Sequence, residues 1–240
     1  MDASDLKHGG NDLLAIMPAP SLARLAPHCR RVTLLKGEII SGSDQPMAAA
    51  LFIEDGVASI IKPGEQYGTA IGIAGPEGFC GTPLVLGGEH WPYSTVVQAE
   101  RVTGIEIAAD IFGQLVVEDA DLRGVLLRSI QVKMVQLAEG LISNANQRLI
   151  PRLARWLLMY RDRVRSDQLP VTHKYIALMV GARRSAVTAA LHELEGAGLI
   201  SSTRGLAIIL NSDELLRLAA GGYGVTEREH TRLLDAETVQ

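Results

Sequence analysis

Apolar and polar positions change rhythm three times along the chain, and each rhythm predicts a different kind of element. Over residues 13–28, Leu13, Leu14, Ile16, Leu22 and Leu25 recur at helical spacing, which predicts a short amphipathic helix. From Arg31 to about Ile107 the runs shorten to VTLL, EII, ALFI, VASII, TAIGIA, STVVQA and VTGIEI. Dense glycines separate them, from Gly37 to Gly88. Short strands with close turn signals predict an antiparallel sandwich or roll. Over 110–147 glycine and proline nearly vanish. Leu126, Ile130, Met134 (or Lys133), Leu137 and Leu141 then recur in steps of three and four. That seam suits a partner helix, and a second copy of the chain is the economical partner. The competing destination is the protein's own β unit, which Leu122 and Val125 especially suit. The segment before Leu13, MDASDLKHGGND, lacks the basic and apolar regions of a signal peptide and reads as a flexible arm.

Ser143-Asn144-Ala145-Asn146 has low helix propensity and Pro151 suits the first turn of a new helix, so a hinge is expected near Asn144–Arg148. A helix over Arg152–Val164 would bury Leu153, Trp156, Leu157 and Tyr160. The next stretch, VTHKYIALMVGARRSAVTAALHELEGAGLI (171–200), is the most informative in the chain. Thr172 can cap a helix that buries Ile176, Ala177 and Val180. Gly181 stands where the chain must turn through a left-handed backbone, which costs glycine little. A second helix then buries Val187, Leu191 and Leu194 and leaves Arg183, Arg184, Ser185 and Thr188 outward. This is helix-turn-helix spacing, and such a helix fits the major groove of DNA, where base edges differ. Leu199-Ile200, Thr203-Arg204-Gly205 and Leu206–Leu210 predict a hairpin, the wing of a winged helix. NSDELLRLA predicts a helix capped by Ser212 or Asp213, followed by a polar tail.

Charge sharpens this picture. The 240 residues carry a net −4, which alone disfavours nucleic acid. Residues 147–205, however, hold ten Lys/Arg against four Asp/Glu, a net of +6 between acidic flanks of −7 and −3. Phosphate binding asks for such asymmetry. Arg161, Arg163 and Arg165 read either as part of this patch or as solvated helix faces. Two distant cysteines, Cys29 and Cys80, argue against a structural disulfide and fit a reducing cytoplasm. No run offers the roughly 20 apolar residues of a membrane span.

The order of elements resembles the CRP/FNR superfamily of bacterial transcription regulators. The helix-turn-helix with its trailing LEGAGLI carries most of the likeness. KGEIISGSDQ, ALFIEDGVASI and GPEGFCGTPLVLGGEHWPYSTVV carry the rest, over about residues 13–210. The resemblance implies an α+β chain: a cyclic-nucleotide-binding-like β-roll (1–110, with its arm and helix), a long dimerisation helix and hinge (111–147), a winged helix-turn-helix (148–220) and a polar tail (221–240). It implies a homodimer on palindromic double-stranded DNA, with RNA polymerase as a further partner. Thr172, His173, Lys174, Arg183, Thr188 and Arg204 would meet phosphates, and Arg184 and Ser185 base edges. His173 reads equally as a solvated first-turn residue.

The likeness also locates departures. Relatives that read the common half-sites present Arg, Glu and a later Arg, where this chain has Arg184, Ser185 and Ala189. Relatives that bind cyclic AMP use a Gly-Glu and an Arg-Ser pair. The matching segments are Phe79-Cys80-Gly81-Thr82 and Tyr93-Ser94-Thr95. Thr82 replaces the glutamate and Tyr93 the arginine, and a phenol cannot supply the bidentate contact that a cyclic phosphate needs. Cyclic nucleotide is therefore not expected. Ile71, Ile73, Phe79 and Trp91 could line an apolar pocket or simply fill a small core. Two cysteines cannot hold a four-cysteine iron–sulfur cluster, Cys80 has no histidine nearer than His90 for haem, and the histidines show no metal spacing. No cofactor or metal is expected. No nucleophile-and-base constellation or nucleotide fingerprint marks an enzyme. The rival reading is a small-molecule sensor or protein-interaction module whose winged helix does not bind DNA.

Overall fold

The computed structural model describes residues 1–62, 64 and 68–234. Three short helices open the chain: α1 (Ala3–Lys7), α2 (Asp12–Ala15) and α3 (Ala19–Leu25), followed by a 3₁₀ turn at Ala26–His28. The expected helix over 13–28 is thus two, because Pro18 forbids continuation through Met17 and restarts the next helix. The expected flexible arm is also corrected. Asp2 and Asp5 form a capping box, Leu6 is fully buried, and Asn11 donates to the carbonyls of Ile53 and Gly78 at 2.8 Å each.

All seven predicted runs are strands: β1 (Arg30–Leu35), β2 (Ile39–Ser41), β3 (Ala49–Asp55), β4 (Ala58–Lys62), β5 (Thr69–Ala74), β7 (Ser94–Val97) and β8 (Arg101–Ala108). A two-residue β6 (Phe79–Cys80) and a helix α4 (Thr82–Val85) lie between β5 and β7. The strands form two antiparallel sheets, β1-β8-β3-β6 and β2-β7-β4-β5, the two leaves of a roll. Phe52, Phe79 and Phe112 meet at its helical end with centroids 5.6–6.2 Å apart.

Asp119 breaks the helical stretch 110–147 into α5 (Ala109–Glu118) and α6 (Ala120–Asn146), and its carboxylate accepts from Asp121 N and Leu122 N at the start of α6. After α6, Gln147 and Arg148 take extended backbone before α7 (Leu149–Val164), inside the expected hinge. A short β9 (Gln168–Leu169), α8 (His173–Met179), α9 (Arg184–Gly196) and a hairpin of β10 (Ile200–Thr203) and β11 (Leu206–Ile209) complete the winged helix, with sheet order β10-β11-β9. Helix α10 (Ser212–Leu218) is capped by Asn211, not by Ser212 or Asp213. The described part of the tail holds a further helix, α11 (Val225–Leu234), which lies along α6 and buries Leu234 in the β-roll core. Residues 235–240 lie outside the described residues.

The expected seam on α6 divides. Leu126 and Ile130 are 0% and 6% exposed in the chain's own core, so neither is free for a partner. Leu137 lies against Gly72 of β5. Met134 and Leu141 are 65% and 71% exposed, and Leu127, seven residues before Met134, is 43% exposed. The outward stripe is therefore Leu127, Met134 and Leu141, one helical step away from the inward row.

Candidate nucleic-acid interface

Local chemistry builds the helix-turn-helix much as its residues require. Thr172 Oγ1 accepts from Tyr175 N at 3.2 Å and opens α8. Gly181 adopts φ +61 at the corner. Val187, Ala190, Leu191 and Leu194 turn inward from α9 onto a core with Ile176, Ala177 and Val180. Trp156, Tyr160 and Tyr175 lock α7 to α8 through one stacked and two edge-on contacts of 5.1–6.0 Å. These contacts leave Arg183, Arg184 and Ser185 exposed at the start of α9, Thr172 and Lys174 at the start of α8, and Arg204 at the tip of the wing.

His173 and Thr188 are engaged with each other. The Thr188 hydroxyl donates to Arg184 O at 3.0 Å, so His173 Nδ1, 2.9 Å from the same oxygen, must be the donor of that pair. Desolvation, with Arg184 and His192 nearby, pushes the His173 pKa down. His173 ties α8 to the start of α9.

The basic patch is smaller than its count. Arg161 pairs with Asp167 at 2.6 Å, Arg163 with Glu77 at 2.8 Å and Arg165 with Asp12 at 2.5 Å. Arg155 is buried and donates to Gly222 O. Of the two readings left open, a solvated face describes Arg161 and Arg165, which stay partly exposed while each pairs with an aspartate, whereas Arg163 is buried in its pair with Glu77.

In the β-roll, Phe79, Gly81, Thr82 and Thr95 border a gap of only about 20 Å³, together with Trp91 and Lys133. Such a volume holds about one water. Tyr93 and Ser94 do not border it. Tyr93 turns edge-on to Trp91 at 5.3 Å, and Ser94 Oγ accepts from Ser43 N on the other face of β7. Strand alternation explains Ser94, which is out of phase with the inward Thr95 and Val97, whereas Tyr93 precedes β7 and is held by Trp91. Ile73 is fully buried, but with the helix-turn-helix core rather than in a pocket.

What sequence reasoning missed is how the two units meet. Ser59 of β4 and Tyr175 of α8 share a buried hydrogen bond of 2.9 Å, and Val57 and Ile73 join the core of α7–α9. The Arg163 guanidinium is fully engaged, donating to Glu77 Oε1, Met159 O and, with the Gln136 amide turned so that both its ends find partners, Gln136. A β-carbon at Gly75 would lie 2.8 Å from Arg163 Cγ, so this crossing requires glycine. Burial alone would raise the Glu77 carboxyl, but Arg163 and Lys133 outweigh it and hold its pKa low. The sequence signal was faint: charged residues in otherwise apolar phases of α6 and α7.

Residues 151–218 match the Crp-like helix-turn-helix domain family. No curated protein sequence matches the chain. Among solved structures, a CRP-family transcriptional regulator from Thermus thermophilus superposes with TM-score 0.68 at 18% identity, covering 79% of this chain and 97% of that one. A CRP/FNR-family regulator from the same organism gives 0.68 at 22%, covering 80% and 99%. The c-di-GMP-responsive global regulator CLP of Xanthomonas campestris gives 0.66 at 17%, covering 80% and 99%. At these identities the likeness establishes fold. The chain thus has the fold of the CRP/FNR superfamily of transcription regulators and carries at residues 151–218 the Crp-like helix-turn-helix domain that goes with it.

Proposed function

We propose that the protein is a homodimeric, sequence-specific DNA-binding transcription regulator of the CRP/FNR type, acting on a palindromic site in the cytoplasm and catalysing no reaction. The observation that carries this reading is the exposed start of α9 with Arg183 and Arg184, together with Thr172 and Lys174 exposed at the start of α8, in a Crp-like helix-turn-helix. Helix α9, with 13 residues, is about 20 Å long and fits a major groove. Arg184 reads guanine through O6 and N7, Ser185 tolerates several bases, and Lys174, Arg183, Thr172 and Arg204 hold phosphates. The stripe of Leu127, Met134 and Leu141 pairs two copies and sets two recognition helices about 34 Å apart. RNA polymerase is the further partner that the resemblance suggests.

The β-roll is degenerate as an effector domain in this reading. A gap of about 20 Å³ without an arginine at its border supports exclusion of cyclic mononucleotides and of the dinucleotide to which the Xanthomonas regulator responds. Selection of bound sequences from a random DNA pool, followed by gel shifts across a salt series, tests the function. A palindromic consensus with steep salt dependence is expected. Absence of DNA affinity at low salt would instead support a protein-docking winged helix.

A further inference from the structure

A cavity more than ten times larger than the β-roll gap lies where three parts of the chain meet. Its volume is about 260 Å³. Helix α6 supplies its floor, the turn after β5 and the end of α7 its walls, and α11 its roof. Two ion pairs border it, Arg163–Glu77 and Arg165–Asp12, and the other carboxylate oxygen of Glu77, Oε2, has no hydrogen-bond partner among the described residues. Four other ionisable groups on its surface belong to no ion pair among the described residues. Lys133 Nζ donates to Ile73 O and has no carboxylate within 4 Å among the described residues. His230 has no hydrogen-bond partner among them. Asp162 accepts from Tyr223 Oη and Glu227 from Gly224 N, each through one oxygen, and neither has a cation in ion-pair range among the described residues.

Asp162 is exposed and Lys133, Glu227 and His230 are half-buried, so water solvates them and a ligand of matching charge would take its place. Here unpaired groups of both signs border one solvent-reachable space. We propose that this joint cavity binds a small zwitterion of the α-amino acid class, its carboxylate on Lys133 and His230 and its ammonium on Asp162 and Glu227. The volume falls just under the ~300 Å³ at which sites for drug-sized molecules begin, which suits a metabolite of that size. A molecule bearing one sign of charge would satisfy one pair and be repelled by the other. Because the occupant touches α6, α7 and α11 together, it stiffens the Gln147–Arg148 break and so biases the position of α9. That last step rests on the DNA-binding reading, whereas the binding itself does not.

Calorimetry of the full chain at pH 7, without DNA, decides the matter. The probes are the standard L-amino acids one by one, with succinate and 1,4-diaminobutane as single-sign controls. At least one amino acid is expected to bind with a micromolar to millimolar Kd, and neither control to do so. Glu227→Gln preserves the acceptor for Gly224 N but removes the charge, and Lys133→Met preserves the apolar stem. Each should weaken binding at least tenfold. Should Lys133→Met not fold, Glu227→Gln decides alone. No binding by any amino acid, equal binding of either control, or full affinity in Glu227→Gln would overturn the site. Binding that leaves the gel shift of a selected DNA site unchanged would overturn only the coupling to α9.

Discussion

On the proposed DNA-binding reading, single side chains in the helix-turn-helix separate into readers, holders and spacers. Arg184 is exposed in the first turn of α9, and Lys174 is exposed at the start of α8. Arg184→Ala is expected to relax preference at one base pair per half-site by about 1–3 kcal/mol, measured by competition between matched and mismatched sites. Lys174→Ala should weaken all sequences alike and flatten the salt slope by about 1. Equal losses on specific and random DNA for both variants would refute the division. Tyr160 gives a test of a different kind. Its ring is fully buried among Trp156 and Tyr175, but its hydroxyl has no partner among the described residues, and desolvation drives its pKa far up. An unsatisfied buried hydroxyl costs free energy. Tyr160→Phe is therefore expected to leave stability unchanged or to raise it by about 1 kcal/mol in urea unfolding, and a clear loss would reveal a partner for the hydroxyl. Of these roles, Gly181 and Arg184 were legible in the sequence because a corner and a helix start are local. The His173–Thr188 bond was not, since it joins residues fifteen apart whose relation depends on how α8 and α9 cross.

Among the elements, α6 shows where pattern reading reaches its limit. Two apolar rows run along it, Leu126–Ile130–Leu137 and Leu127–Met134–Leu141, about 100° apart on a helix. Periodicity reveals both and cannot say which faces the protein's own β-roll. The expected seam mixed them, and burial separates them. The strands were easier, because each half-buried run names its inward face by alternation. Helix α11 was read only as polar tail because its contacts, apolar through Leu234 in the β-roll core and polar through the bond from Gln131 to Glu229, lie about a hundred residues away in sequence. The corrected stripe yields a prediction. Met134→Lys with Leu141→Lys puts charge on two exposed positions and should shift the protein from dimer to monomer in sedimentation velocity, with an unchanged far-ultraviolet spectrum. Leu126→Lys places a charge in the core and should unfold the β-roll instead. A dimer that survives the double substitution would remove α6 as the interface.

At the scale of the whole molecule, the β-roll and the winged helix meet through Val57, Ile73 and a charged joint, so their coupling should be visible in stability against pH. The Lys133 pKa is brought down from 10.5 to about 8, chiefly by burial, which Glu77 and Cys80 oppose and Arg163 assists. Between those pH values the unfolded chain holds a proton on this lysine that the folded chain has released. Stability from Lys133 thus rises with pH across roughly 8 to 10.5, by on the order of 2 kcal/mol. Cys29 and Cys80 act in the opposite sense, since burial lifts their thiols from 9.0 to about 11 and about 12. The unfolded chain loses those protons first, and stability falls above pH 9. A single pH profile would therefore hide the lysine. The difference between the protein and its Lys133→Met variant removes the Cys29 contribution and the burial part of Cys80, the largest cause there, and so brings out the lysine. Urea unfolding at pH 7.5, 8.5, 9.5 and 10.5 should show the parent gaining on the variant as pH rises. A flat difference would mean that Lys133 is solvated in the folded state and that the joint is open to water at its floor, whereas a rising one places a desolvated ammonium where β-roll, long helix and DNA-binding unit converge.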